Sequence, residues 1–251
     1  MLHTSDCHLG TSPAQRQESA FADAVALARR EQVDAVLVVG DLFDSARMSE
    51  ETLDWTAGQL DQLGCPVVIL PGNHDVFDAG SVHHRFDVAA RCAHVQFVDD
   101  HDGRLVEVPG TDLVVWGRAM PEHEPGYLPF AGLPPAPAGK WAIAAGHGLV
   151  MDDGPAHRSS PIFASDLADV QWDYVALGHV HRYQEVRDEP TPVRYSGATA
   201  EALKGDPGVV LVDFVPGVGA RPRAVALQPF ERKAGSVPER KAGSVPERKV
   251  G

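Results

Sequence analysis

Short runs of uninterrupted apolar residues recur along the chain, each closed at once by glycine or proline. The runs at 35–39 (AVLVV), 67–70 (VVIL), 114–116, 142–145 and 174–177 are β-branched or apolar, so they predict buried strands that end in loops. Between them, residues 20–30 and 50–63 have helix-like spacing and composition. Strand, loop, helix, strand in this order predicts an α/β sandwich. A proline-rich stretch, 121–137, predicts a surface loop between two strands. Farther on, VRYSGAT (193–199) and GVVLVDF (208–214) predict two more strands, the second alternating and antiparallel.

After residue 230 the sequence ERKAGSVP occurs twice and ERKVG follows. A repeat so rich in charge, Gly, Ser and Pro cannot bury a core, so 231–251 is expected to be a disordered tail without chemistry. The preceding 1–230 is expected to form a single domain, since 251 residues with 43% hydrophobic content suit one well-buried α/β unit. No stretch approaches the roughly 18 apolar residues of a membrane helix, and the N-terminus lacks the order of a signal peptide. A cytoplasmic protein without a membrane partner is the expectation.

Charge and cysteines narrow the chemistry. The tail carries six basic and three acidic residues, which leaves 16 basic against 32 acidic in 1–230, a net of −16 beside −13 for the whole chain. Tight binding of nucleic acid by a broad basic surface is therefore excluded, although bound divalent cations would reverse the sign locally. Cys7, Cys65 and Cys92 are odd in number and form no CxxC pair, so neither a disulfide framework nor a thiolate zinc site is expected.

The residues that follow the strands are SDCH (5–8), GDLFD (40–44), GNHD (72–75), GHG (146–148) and GHVH (178–181). Each places carboxylate, imidazole or carboxamide at a strand end, where sites of open α/β sheets gather. One such block reads as a surface or core histidine; five in one chain do not. Asp, His and Asn without cysteine form a hard-to-borderline ligand set that suits manganese, iron or zinc. A pair of metals needs seven or eight ligands and a bridging carboxylate, and Asp6, His8, Asp41, Asn73, His147, His179 and His181 supply them. Asp6 and His8 are two apart and point to one side, so Cys7 points to the other and is expected not to be a ligand.

This set resembles the calcineurin-like metallophosphoesterases, whose D-x-H, G-D-x-x-D, G-N-H-D/E, G-H and G-H-x-H blocks are all met in order over about residues 1–215. Within that superfamily, LHTSDCHLG, GDLFDS, VVILPGNHD, YVALGHVHR and YSGAT look most like SbcD-type DNA-repair nucleases and small bacterial DNA phosphoesterases. The resemblance implies a four-layer α/β/β/α sandwich with mixed sheets and no capping domain, the catalytic domain being 1–230. It implies a first metal on Asp6, His8, Asp41 and His181, and a second on Asp41, Asn73, His147 and His179. His74 falls at the family's catalytic histidine, Asp44 at the acid that orients it, and Asn73 assists in holding charge. Asp75 is expected to support the ligands, and Arg182 to reach the substrate phosphate or solvent. His83 and His84 follow GNHD in a site-lining loop; His94, His101, His123 and His157 read as surface or loop residues, and His3 as packing.

The activity implied is two-metal hydrolysis of DNA phosphodiesters, manganese being the expected ion ahead of iron or zinc. Single-stranded or flexible DNA is the expected substrate, in repair, as endonuclease or exonuclease. SbcD-type proteins carry a further DNA-capping domain, and here the chain runs into the repeat, so neither their duplex-end behaviour nor a coiled-coil ATPase partner transfers. The alternatives are a small-molecule phosphoesterase for cyclic nucleotides, nucleotide-sugar pyrophosphates or monoesters, which the acidic body favours, and a metal-poor protein-binding scaffold.

Overall fold

The computed structural model describes residues 1–12, 14–156, 158–200 and 206–227; the repeat at 231–251 lies outside them. The chain begins with β1 (Leu2–Thr4), α1 (Gln15–Arg30), β2 (Val36–Val39), α2 (Glu50–Asp61) and β3 (Val67–Leu70). Two short helices, α3 (Val82–Phe86) and α4 (Val88–Arg91), lead to β4 (Val95–Phe97). Next come β5 (Arg104–Glu107), β6 (Leu113–Gly117), β7 (Trp141–His147), β8 (Leu149–Met151), β9 (Pro161–Phe163), α5 (Ala164–Ala168) and β10 (Tyr174–Gly178). The last strands are β11 (Gln184–Arg187), β12 (Val193–Tyr195), β13 (Gly208–Val215) and β14 (Gly219–Ala226).

Two mixed six-stranded sheets form, ordered β14-β13-β1-β2-β3-β4 and β11-β12-β10-β7-β6-β5, beside a small β8-β9 ribbon. In the first sheet β1 to β4 are parallel and β13 is antiparallel to β1; in the second β6, β7, β10 and β12 are parallel. Strands buried on both faces have no polar side to alternate with, which is why β2, β3, β7 and β10 read as continuous apolar runs. Along β2, Val36 and Val38 enter the core under the helices while Leu37 and Val39 face the second sheet. Along β10, Tyr174 and Ala176 return that contact while Val175 and Leu177 enter a third core. Three apolar cores thus separate four layers.

The layers are unequal. The first sheet is covered by α1 and α2, the latter capped by Ser49 Oγ, which accepts from Thr52 N at 3.1 Å. α1 starts at Gln15, five residues before the apolar periodicity predicts. The second sheet is covered by the five-residue α5 and by the proline-rich loop, whose Phe130, Leu133 and Ala136 pack into the third core. That loop carries no strand or helix, as its composition predicts, yet it supplies a layer that helices supply on the opposite face. Among the described residues no helix is long and apolar enough to cross a membrane.

His3 lies fully buried on β1, its Nδ1 3.0 Å from Tyr174 Oη on the opposing sheet. Burial pulls its pKa down to about 3. Below pH 6.5 the unfolded chain takes up a proton that native His3 refuses, so stability falls as pH drops through the window from 6.5 to about 3. Urea unfolding of His3→Gln should show a slope against pH shallower than the wild type by about 1 kcal/mol per pH unit between pH 6 and 4; parallel slopes would refute this.

Candidate metal centre

β1 ends at Thr4, so Asp6 and His8 sit in a loop rather than on a strand. Both adopt positive φ, 51° and 48°. Asp6 N donates to Gly40 O at 3.1 Å and His8 N to Asp41 O at 3.0 Å, which lays this loop along the one that follows β2. The two side chains share a side, as expected, but the cause is this pairing of left-handed residues and not strand alternation. Cys7 between them is fully buried in the helix-side core, and burial pushes its thiol up to about 12. Cys7→Ala is accordingly expected to keep bound metal and activity, measured by metal analysis and turnover; loss of one metal equivalent would contradict the packing.

Asp41 and His179 also have positive φ, 54° and 98°. Backbone strain of this kind costs of order 1–3 kcal/mol per residue and persists only where its surroundings impose it. Here it gathers at four of the seven expected ligands. Close approach of the two sheets explains the glycine before Asp41 and the one before His179. A Cβ on Gly40 would overlap the His147 ring, and one on Gly178 the Val39 carbonyl oxygen.

Seven side chains from the carboxyl ends of β1, β2, β3, β7 and β10 converge. Asp6 Oδ2 accepts from His179 N at 3.0 Å and from Ser5 Oγ, which is itself 2.8 Å from Ser196 Oγ after β12. Its other oxygen, Oδ1, is buried without a hydrogen bond, 3.5 Å from His181 Nε2. His181 Nε2 stands 3.1 Å from His8 Nε2. Asp41 Oδ2 lies 3.9 Å from His8 Nε2 and 3.4 Å from His147 Nε2, between the two groups. Asn73 Oδ1 is 3.0 Å from His147 Nε2 and 2.8 Å from His179 Nδ1.

The donor chemistry fits cations. His147 Nδ1 is 2.9 Å from Val39 O, and a carbonyl only accepts, so the ring proton sits there and Nε2 faces Asp41 Oδ2 and Asn73 Oδ1. Three acceptors then point at one another. Either a proton or a cation must stand among them. In the metal-free chain a proton does: burial opposes the charge on His147, but the Asp41 carboxylate overrides it and raises the pKa to about 9. Burial likewise opposes the charge on Asp41, yet the imidazolium beside it holds its carboxyl well below the usual range. Burial, then the charge on His147, pulls His179 down to about 3, leaving its ring neutral with one nitrogen free to act as a ligand. The orphaned Asp6 oxygen facing two imidazoles makes a second such cage, so Asp6, His8, Asp41 and His181 could hold one ion and Asp41, Asn73, His147 and His179 another.

His74 lies above His8, ring centroids 4.6 Å apart and edge to face. Its Nδ1 is 3.0 Å from the backbone oxygen of Asp44 and 3.6 Å from the carboxylate, which approaches His8 Nδ1 more closely, at 3.2 Å. Asp44 therefore orients His74 chiefly through its carbonyl, a group whose position side-chain identity does not reveal. Asp75 is buried beneath the ligands, where Oδ1 accepts from Asp41 N and Gly72 N, and Oδ2 from Phe43 N. Arg182 is exposed just after His181.

Two histidines read as loop residues are placed more tightly than spacing suggests. His83, buried, has Nε2 3.1 Å from Asp75 Oδ2 and its ring 4.3 Å from that of Phe97. His123 in the proline-rich loop has its ring 5.6 Å from that of His179 and Nδ1 3.0 Å from Ser160 Oγ. His84, exposed, meets the Asp78 carbonyl instead, and His157 lies outside the described residues.

The chain is 31% identical over 246 residues to the DNA double-strand break repair protein Mre11 of Haloferax volcanii, covering 92% of this chain and 53% of that protein. It is 26% identical to a component of the nuclease SbcCD of Bacillus subtilis, covering 90% and 69%, and 29% identical to the uncharacterized metallophosphoesterase YhaO of the same organism, covering 86% and 57%. The chain thus spans about half the length of the first of these relatives. A dimetal phosphatase from Danio rerio superposes with a TM-score of 0.57 at 13% identity, covering 90% of this chain and 98% of that one. Residues 1–183, which carry every block that reaches the cages, match the calcineurin-like phosphoesterase family. With two sheets whose strand ends bring the candidate ligands together and a sequence that matches over most of its length, the chain belongs to the calcineurin-like phosphoesterases, hydrolases that depend on a dinuclear metal centre.

Proposed function

We propose that this chain is a manganese-dependent phosphodiesterase that hydrolyses DNA, as a nuclease on single-stranded or flexible strands in cytoplasmic DNA repair. The observation that carries the reading is the openness of the site. The His74 and His181 side chains are 43% and 44% exposed, whereas a small-molecule site buries most of its ligand. A strand can cross such a surface without threading a pocket. Relatives with DNA repair and nuclease in their names point the same way.

In this reading Asp6, His8, Asp41 and His181 hold one divalent ion and Asp41, Asn73, His147 and His179 the other. The ions supply Lewis acidity toward the phosphoryl oxygens and lower the pKa of a water. His74 then works from above His8. Its Nδ1 proton is committed to the Asp44 carbonyl, so Nε2 is the atom that meets the phosphate, and in the protonated ring it can donate to the departing alkoxide. Asn73 holds its carboxamide toward the same phosphate. Asp75 keeps the backbone of Asp41 and Gly72 fixed while charge moves.

The acidic body favours a second reading, a small-molecule phosphoesterase. Both are tested by one screen with manganese, over single-strand DNA, duplex DNA, RNA, a cyclic nucleotide and bis(p-nitrophenyl) phosphate. Cleavage of single strands is expected to exceed that of duplex. Turnover of the cyclic nucleotide with no cleavage of any nucleic acid would replace the first reading by the second.

A further inference from the structure

Beside the second cage, a cleft of about 340 Å³ is lined by His123, Leu149, Arg158, Ser159 and His179. We propose that this cleft is a phosphate subsite in which Arg158 and His123 hold the phosphodiester that neighbours the scissile one. The inference rests on the nucleic-acid reading above and adds the direction in which the strand lies.

Three observations carry it. The first is the support under His123. Ser160, fully buried, is one of the seven non-glycine residues with positive φ among those described, at 50°. Its N donates to Glu124 O at 2.9 Å, its O accepts from Leu149 N at 3.1 Å, and its Oγ meets His123 Nδ1 at 3.0 Å. A buried residue held in a strained conformation thus ties the proline-rich loop to β8 and fixes a single exposed ring beside a ligand position. With Nδ1 engaged by Ser160, the nitrogen His123 can offer a ligand is Nε2.

The second is Arg158. It lines the cleft and makes no ion pair among the described residues, in a chain where acidic groups outnumber basic ones by 13. A guanidinium presents a planar fork that matches phosphate. The third is placement. His74 stands over His8, whereas His123 stands against His179, so the two histidines flank ligands of different cages. A scissile phosphate between them leaves its neighbour on the same strand at the cleft. Leu149, half-buried, offers apolar wall to the intervening sugar.

The test compares substrates with and without a neighbouring phosphate. For Arg158→Ala, kcat/KM on an oligodeoxythymidylate should fall at least about tenfold further than kcat/KM on bis(p-nitrophenyl) phosphate, with the excess in KM. His123→Ala should show the same bias to a smaller degree, and Arg158→Lys should recover part of it. On a His74→Asn background, anisotropy of a fluorescein-labelled oligodeoxythymidylate should report binding weakened about fivefold or more by Arg158→Ala. Equal losses on both substrates, or oligonucleotide binding and KM unchanged, would overturn the subsite while leaving the nuclease reading intact. A wild type that turns over bis(p-nitrophenyl) phosphate but neither binds nor cuts the oligonucleotide would overturn the nuclease reading, and the subsite with it.

Discussion

Replacing Asp41 by alanine is expected to lower kcat on bis(p-nitrophenyl) phosphate at least about a thousandfold and to deplete both bound cations. No other residue is asked to do as much. Its Oδ2 stands between His8 and His147, its Oδ1 accepts from His74 N at 2.8 Å, and its backbone oxygen accepts from His8 N. Truncation removes the one negative charge shared by both cages and slackens the strand-end turn that carries His74. Asp41→Asn separates these effects, because the amide retains a carbonyl oxygen for His74 N but brings no charge. It should keep the fold and the His74 position while losing most bound manganese. Metal content by mass spectrometry of the desalted protein, read beside turnover at saturating manganese, decides the matter. An Asp41→Asn chain that retains both ions, or one that loses less than about tenfold in turnover, would contradict the bridging role.

What the sequence reveals of this molecule follows from what its physics makes local. β2, β3, β7 and β10 are legible because strands buried on both faces must be apolar throughout, and the glycine or proline that ends each marks where a site residue comes next. β5 and β11 are illegible for the opposite reason. They lie at a sheet edge, and β5 (RLVE) buries only Val106. The site residues are legible because each ligand block is contiguous. His123 is not, because what gives it meaning is a partner far along the chain, Ser160, 37 residues away; His83 is not, because nothing in the residue types pairs its ring with Asp75 and Phe97. The orientation of His74 by a carbonyl, and the left-handed backbone at Asp6, His8, Asp41 and His179, carry no side-chain signature. Asp and His are among the non-glycine residues that enter positive φ most readily, so the residue types at these positions suit the conformation, but nothing in their order along the chain shows that four of them adopt it.

Asp75 is the residue whose loss should damage the fold and the chemistry together. It ends the GNHD block yet points down, away from the cages, with its side chain fully enclosed. One carboxylate oxygen takes Gly72 N at 2.7 Å and Asp41 N at 3.2 Å; the other takes Phe43 N at 3.2 Å and faces His83 Nε2 at 3.1 Å. Three backbone donors from the loops after β2 and β3 thus end on a single side chain, which fixes the separation of Asp41 from Asn73 and His74. In Asp75→Ala those donors are buried without acceptors, at about 1–3 kcal/mol each, partly relieved by entering water. A net destabilisation of about 4 kcal/mol is expected in urea unfolding of the metal-free protein, a large share of a typical domain's stability. Asp75→Asn keeps an acceptor for two of the donors but turns an amide toward the third or toward His83, so an intermediate loss is expected. His83→Phe retains the contact with Phe97 and removes only the imidazole, and it should cost the least. If the chain that survives in Asp75→Asn still binds manganese, its kcat should nonetheless fall by about a hundredfold, because a shift of an ångström between the two loops misaligns His74 with the phosphate. Wild-type stability in Asp75→Ala, or a ranking in which His83→Phe is the worst of the three, would show that the two loops are held apart by something other than this carboxylate.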